Sequence, residues 1–409
     1  MIRKVLLMLV ALLLTLTLVV GAVACDEEEE ETPTPTATGE PTATPEPTAT
    51  PAAALKVGSV MDLTGALAGM GPSLRDGAIL AAKEINDAGG INGSQIELIV
   101  EDGATDAAVG LEAVKKLVEV NGVKVIIGPM IAGATMASGP YVGEREVLII
   151  SPSATGADLA DQEWRKFVFR TPPTDALQGV AMSQLVTEGG YEKVAFFIMD
   201  NQYGVGIEEV IKDTLGDSVE IVSSMRYDPA KMDYLTELQI VKDKNPDVVV
   251  HVGYGDDSQI VYKQGLELGL DTIQWITSEG GYAEATLGMA ETAEFMEKAV
   301  IGTKATADQT MYADFVAAFE AEFDYSPGIY AEYSYDAMKL AALAIEQAGY
   351  EDAAAISDAL MEIGQEYAGV SGLISFSENG DRGGGTFEVW QVVIDDEGPR
   401  FDTVKIISF

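Results

Sequence analysis

The sequence predicts an α/β protein made of two doubly wound parallel-sheet lobes, and three observations carry that prediction. Short β-rich apolar runs alternate with longer stretches whose apolar residues recur every three or four positions. Runs such as VKVIIG and DVVVHVG are continuously apolar, the mark of strands buried on both faces by flanking helices. About ten such strand–helix units are too many for one sheet of ordinary size, so two lobes are required.

Taken in order, the expected strands lie in LKVGSVMDL, QIELIVEDG, VKVIIGPM, VLIISPSA, KFVFRTP, KVAFFIMD, EIVSSMRY, DVVVHVG and IQWITSE. Segments such as SLRDGAILAAKEINDAGG and AAVGLEAVKKLVEVNG supply the helices between them. The first lobe should end near RTPPTD, from Arg170 to Asp175, where paired prolines stop a strand. A helix-rich tract follows from Asp308 to Gly364, with DFVAAFEAEF and DAMKLAALAIEQAG as its clearest members. SGLISF, GGTFEVWQVVI and FDTVKIISF then read as antiparallel strands around ENGDRGGG and DDEGP. Helices returning after the second run of strands imply that the chain crosses between lobes more than once, which makes a hinge.

Composition excludes several classes of function. The 409 residues hold 25 Lys+Arg against 66 Asp+Glu, a formal charge of −41, and only one His and one Cys. Nucleic-acid binding draws on basic side chains, which are outnumbered here more than twofold. A single Cys25 allows no internal disulfide, and His251 and Cys25 together make no zinc cluster, so we expect no metal and no cofactor. His251 is the one candidate base for a serine-type triad, and its place in DVVVHVG suits a packed core residue better.

The first 24 residues put Arg3 and Lys4 ahead of an apolar run, the layout of a secretory signal. Ala22-Val23-Ala24 fits a small-x-small cleavage site, and with Cys25 it also resembles a lipobox. We favour lipidation of Cys25, because the chain's one Cys falls at that position. An uncleaved membrane anchor is the third reading, since the run is about 20 residues long. Residues 25–54, acidic and then rich in Thr and Pro, have no large apolar side chains to bury over 26–51 and read as an extended tether. At about 3.1 Å per residue, 32–51 reach on the order of 60 Å. The first 54 residues carry 2 basic and 8 acidic side chains, so the body alone keeps a charge of −35.

In an open doubly wound sheet, ligands bind beyond the carboxyl ends of the strands. That rule selects the segments Asp62–Gly71, Met130–Thr135, Ser151–Thr155, Asp200–Gly204, Gly253–Asp257 and Ser278–Tyr282. None matches a dinucleotide or P-loop fingerprint. IIGPMIAGATMASG brings a strand into a helix start, either an anion site made of free N–H groups or a tight turn permitted by Gly128 and Gly133, and the residues alone leave both open. The hydroxyls of Ser153 and Thr155 suit a ligand or a cap. Glu279 suits a site or a solvated loop, and Tyr203, Tyr254 and Tyr330 suit pocket walls or packing.

The ordered strings DLTG, AAKEINDAGGINGSQIELIVEDGATD, VKVIIGPM, VLIISPSAT, FRTPPTDALQG, MDNQYGVG, DVVVHVGYGDDSQIV and YAEYSYDAM resemble the leucine/isoleucine/valine-binding family of type I periplasmic binding proteins across residues 55–409. The resemblance implies two lobes joined by a three-crossover hinge: 55–172 with 304–371, and 173–303 with 372–409. An α-amino acid would be clamped between them. Thr155 matches the hydroxyl that holds carboxylate and ammonium, Ser153 the position whose main chain holds the ammonium, and Ala154 lies between them among the ligand-binding positions. Glu279 matches the acid that pairs with the ammonium. Tyr203 and Tyr254 match aromatics that close over the ligand, and Tyr330 a side-chain pocket position. Two positions depart from the pattern: Ala132 where Ser is common, and Met70 where Tyr is frequent. Ala132 keeps its backbone N–H, so the lost hydroxyl should cost about 1 kcal/mol.

The expected function is therefore capture of a small, apolar, branched-chain-like amino acid by an exported, lipid-anchored monomer that passes it to an ABC transporter's permease and ATPase subunits. The N-terminal lipid would be the only contact with membrane. Sensing, or an amide, urea or aromatic-acid ligand, is the alternative, and hydrolysis through His251 is the remote one.

Overall fold

The apolar runs become strands with helices between them, and the capping residues show why the helices start where they do. In the computed structural model, residues 53–307 and 309–409 are described. The signal and tether expectations, with Cys25, lie outside them. The first sheet contains β1 (Leu55–Met61), β2 (Ile96–Asp102), β3 (Val125–Ile127), β4 (Leu148–Ser151) and β5 (Val168–Arg170) in the order β2-β1-β3-β4-β5, all parallel. Helices α1 (Gly71–Asp87), α2 (Ala107–Lys116) and α3 (Ala132–Arg145) connect these strands. Asp106 caps α2, its side chain accepting from Ala108 N and Val109 N. Pro72 in the first turn of α1 occupies a position whose N–H is free anyway.

After β5 the chain leaves the first sheet. It runs through α4 (Asp175–Glu188), β6 (Lys193–Met199), α5 (Gln202–Leu215), β7 (Glu220–Tyr227), α6 (Leu235–Asp243), β8 (Val248–Val252), α7 (Gly255–Glu267), β9 (Gln274–Thr277), α8 (Glu284–Leu287), α9 (Ala290–Ala299) and β10 (Val300–Ala305). It then returns to the first lobe as α10 (Gln309–Phe323), α11 (Ala331–Ala348) and α12 (Ala353–Ile363), with α11 packed on α1. A hairpin of β11 (Tyr367–Gly369) and β12 (Gly372–Ile374) follows. The chain crosses a third time to β13 (Thr386–Asp395) and β14 (Gly398–Ser408).

The second sheet has the order β14-β13-β10-β9-β8-β6-β7. Its parallel part, β7-β6-β8-β9-β10, repeats the topology of the first sheet, and β13 joins it antiparallel to β10. One expectation is corrected here, and one strand is added. The strand read in SGLISF does not join the terminal ribbon. It pairs with β11 instead, register Tyr367↔Ile374. Strand β10, at Val300–Ala305, was not anticipated at all.

Each sheet reverses its strand order once, between β1 and β3 and between β6 and β8, and the loops leaving these strands meet across the cleft. The third crossing is fixed by charge. Asp381 accepts from Arg165 and from Arg170 Nε at 2.6 Å, and Arg382 donates to the carbonyls of Thr171, Ser371 and Leu373. Arg170 also donates to the carbonyls of Ala154 and Gly156 at 3.1 and 2.6 Å, so the hinge holds the loop after β4.

Candidate functional site

The residues beyond the carboxyl ends of β1, β3, β4, β6, β8 and β9 enclose one small cavity of about 30 Å³ between the lobes. Met70, Ala132, Ser153, Thr155, Tyr203, Tyr254, Glu279 and Tyr330 all line it. Ala154 does not. It is fully buried against Ala132 and Leu159, because its N–H bonds Ser151 Oγ at 3.0 Å and its carbonyl is held by Arg170. Leu67, Met130, Ile131 and Gly280 complete the lining. They lie in the strand-end segments selected from the sequence, but nothing in their residue types singled them out.

The first lobe's wall is neutral. Ala132 begins α3, and no side chain caps the free N–H groups there. Gly128, at φ +110°, lets the chain turn sharply out of β3; a Cβ at that residue would stand 2.3 Å from the Val60 carbonyl. Ser153 Oγ donates to the Met130 carbonyl at 3.0 Å and ties the loop after β4 to the loop after β3.

The second lobe's wall is aromatic and acidic. Tyr203 and Tyr254 stack with ring centroids 5.6 Å apart, and Tyr203 donates to Ser278 Oγ at 2.7 Å. Tyr254 stands at the start of α7, where Asp257 Oδ1 accepts from its N–H at 3.0 Å. Gly280 passes close beneath, leaving no room for a Cβ beside the Gly253 carbonyl. From the first lobe Tyr330 enters at φ +70°, a left-handed conformation that costs a tyrosine on the order of 1–3 kcal/mol and aims the ring into the cleft.

Glu279 is 4 % exposed, and its Oε2 has no hydrogen-bond partner. Burial pushes its carboxyl above the ordinary value; nearby Gln178, Tyr203 and Tyr330 only partly offset this. Asp175, the first residue of α4, was missed by sequence reasoning. It is fully buried with both carboxylate oxygens unpartnered, while its N–H donates to the Thr155 carbonyl at 2.9 Å. Burial, and then the charge of Glu279, push Asp175 well above the usual carboxylate range. Two acids therefore share this region, and no basic side chain lines the cavity.

His251 lies elsewhere, wholly buried in β8 with Nε2 and Nδ1 each 3.1 Å from the hydroxyls of Tyr227 and Tyr262. Burial holds it down to about 3, so it stays neutral.

Two lobes of repeated topology, three crossings and a cleft lined by an acid and no base define a two-lobed solute-binding protein. The periplasmic binding protein family model matches residues 54–399, and the chain belongs to that family. Among its relatives, the leucine-, isoleucine-, valine-, threonine- and alanine-binding protein of Pseudomonas aeruginosa is 27% identical over 348 residues, covering 83% of this chain and 90% of the relative. A Leu/Ile/Val-binding protein of Rhizobium johnstonii is 29% identical over 355 residues, covering 83% and 92%. The branched-chain amino acid transporter substrate-binding protein of Streptococcus pneumoniae, solved with isoleucine, superposes with a TM-score of 0.72 at 26% identity, covering 86% and 99%. A solute-binding protein of Rhodopseudomonas palustris, solved with 3,4-dihydroxybenzoic acid, shares the fold with a TM-score of 0.74 at 24% identity, covering 87% and 97%. The family is one of transport binding proteins, and its members are exported.

Proposed function

We propose that this chain captures an α-amino acid between its lobes and delivers it to the permease and ATPase subunits of an ABC transporter, with branched-chain and other small apolar amino acids as its first candidates. The observation that carries this reading is the buried Glu279, whose Oε2 has no hydrogen-bond partner, in a cavity whose other wall offers hydroxyl and helix-start N–H groups. An ammonium neutralises the acid, and the same ligand's carboxylate takes the N–H groups near Ala132 and the hydroxyl of Thr155. A ligand bearing only a carboxylate leaves Glu279 uncompensated and adds a second negative charge beside it. The named ligands of the amino-acid-binding relatives support the same chemistry.

Capture by lobe closure also explains why the aromatic residues sit on the second wall, where Tyr203 and Tyr254 meet an aliphatic side chain. Among the described residues no helix is long and apolar enough to cross a membrane, and we take a lipid on Cys25 as the tether. Incorporation of labelled fatty acid, abolished by Cys25→Ala, checks that point. Calorimetric titration with leucine, isoleucine, valine and alanine tests the function. Saturable binding of at least one supports it, and no binding of any α-amino acid overturns it.

A further inference from the structure

A second cavity of about 430 Å³ adjoins the small one, sharing Leu67, Met70 and Gly280 with it. The small cavity, at about 30 Å³, has room for little more than a water molecule, so the space beyond Met70 is where a bound side chain can extend. Met70 is the divider. Its unbranched thioether is half-buried and bends more readily than a ring would.

The larger cavity carries groups that the small one lacks. Tyr282 and Tyr312 give it aromatic faces. Lys304 is already engaged, with Nζ 2.8 Å from Glu388 Oε2 and 4.9 Å from the centre of the Tyr282 ring. Glu332 has no such partner: it is 4 % exposed, and its Oε2 makes no hydrogen bond. Burial pushes its carboxyl up to about 7, with the Lys304 charge acting the other way. Asp256 and Glu284 stand exposed at the rim. Once Lys304 is matched by Glu388, the remaining charge of the chamber is negative, and one oxygen of the buried Glu332 carboxylate lacks a donor.

We propose that this cavity is the side-chain chamber of the amino-acid site and that it admits α-amino acids with long side chains ending in a cationic donor, with Glu332 as the receiving group. The inference rests on the capture reading above, since the zwitterion must first be held at Glu279. It adds to that reading a specificity-determining pair: Met70 sets how far a side chain can pass, and Glu332 adds affinity where that side chain ends in a cation.

The test is calorimetric titration of the protein and two variants with leucine, norleucine, lysine and arginine. Norleucine matches the length of lysine's chain without its charge. We expect lysine or arginine to bind about 10-fold or more tightly than norleucine, the scale of a charge-assisted hydrogen bond. Glu332→Gln should remove that preference while norleucine affinity stays within about 2-fold, and an unchanged thermal melt of the variant shows that it is folded. Met70→Tyr should weaken lysine, arginine and norleucine alike, by at least about 10-fold. If norleucine or leucine binds and the basic amino acids bind no tighter, or if Glu332→Gln weakens all ligands equally, the chamber proposal is overturned and capture stands. If no α-amino acid binds, both fall together.

Discussion

At the joint between the lobes, the buried carboxylate of Asp381 accepts from two arginines and from Asn379, whereas in the cleft Glu279 and Asp175 are buried without any cation among their partners. The second lobe repeats the first arrangement at Glu208, which is wholly buried and bonded to Lys212, Ser224 and Arg226. At the hinge and at Glu208 the buried acid is matched by bases, and at Asp257 and Asp336 by hydroxyl or backbone donors. Breaking such a pair exposes an uncompensated charge, while an acid left unmatched weakens the fold unless its proton or a ligand neutralises it. The difference separates acids that hold the hinge from acids that receive a positively charged group.

Replacing Asp381 by Asn gives the largest expected effect, because Arg165 and Arg170 stay buried without their counter-charge. Unfolding free energy from urea titration should fall by about 3–5 kcal/mol. A loss below 1 kcal/mol would mean that the hinge acid is no more structural than those of the cleft.

Glu279→Gln should do the reverse. Amino-acid affinity falls by roughly 1.5–3 kcal/mol, the worth of a hydrogen bond to a charged group, while the melting temperature without ligand does not fall. Unchanged affinity removes Glu279 from the site.

The smallest effect belongs to Asp175→Asn and depends on pH. The folded-state value of Asp175 is raised, so its contribution to stability is fully present below the ordinary carboxylate value of 3.8 and is lost as pH rises. The variant should melt like the parent at pH 4 and on the order of 1–3 °C higher at pH 7.5. A variant that melts lower at pH 7.5 would show that Asp175 has a cation partner in the folded protein, and the contrast with Asp381 would fail.

Inner strands such as β3, β4, β6 and β8 were legible because continuous apolarity reports burial on both faces, and the edge strands β2 and β7 because the repeat of strand and helix continues through them. Strand β10 was not. Its sequence VIGTKA carries Gly302, Thr303 and Lys304, and only the ion pair of Lys304 with Glu388 on neighbouring β13 lets that basic residue sit inside a sheet. The cleft could be located from the positions just after each strand, which topology alone determines. Asp175 could not, because an acid in the first turn of a helix is ordinarily exposed and favoured by the helix dipole. Its burial arises only when the loop carrying Thr155 packs over it. Ala154 illustrates the opposite limit: adjacent residues share a loop, but Arg170 turns the carbonyl of one toward the hinge while its neighbours face the cavity.

The most direct test of the central claim compares leucine with 4-methylpentanoate, the same molecule without its amino group, by calorimetric titration of the protein. The account predicts that leucine binds at least about 10-fold more tightly, and that Glu279→Gln shrinks the gap. Equal affinity for the two would show that the cleft's unmatched acids do not receive an ammonium, and would contradict the account.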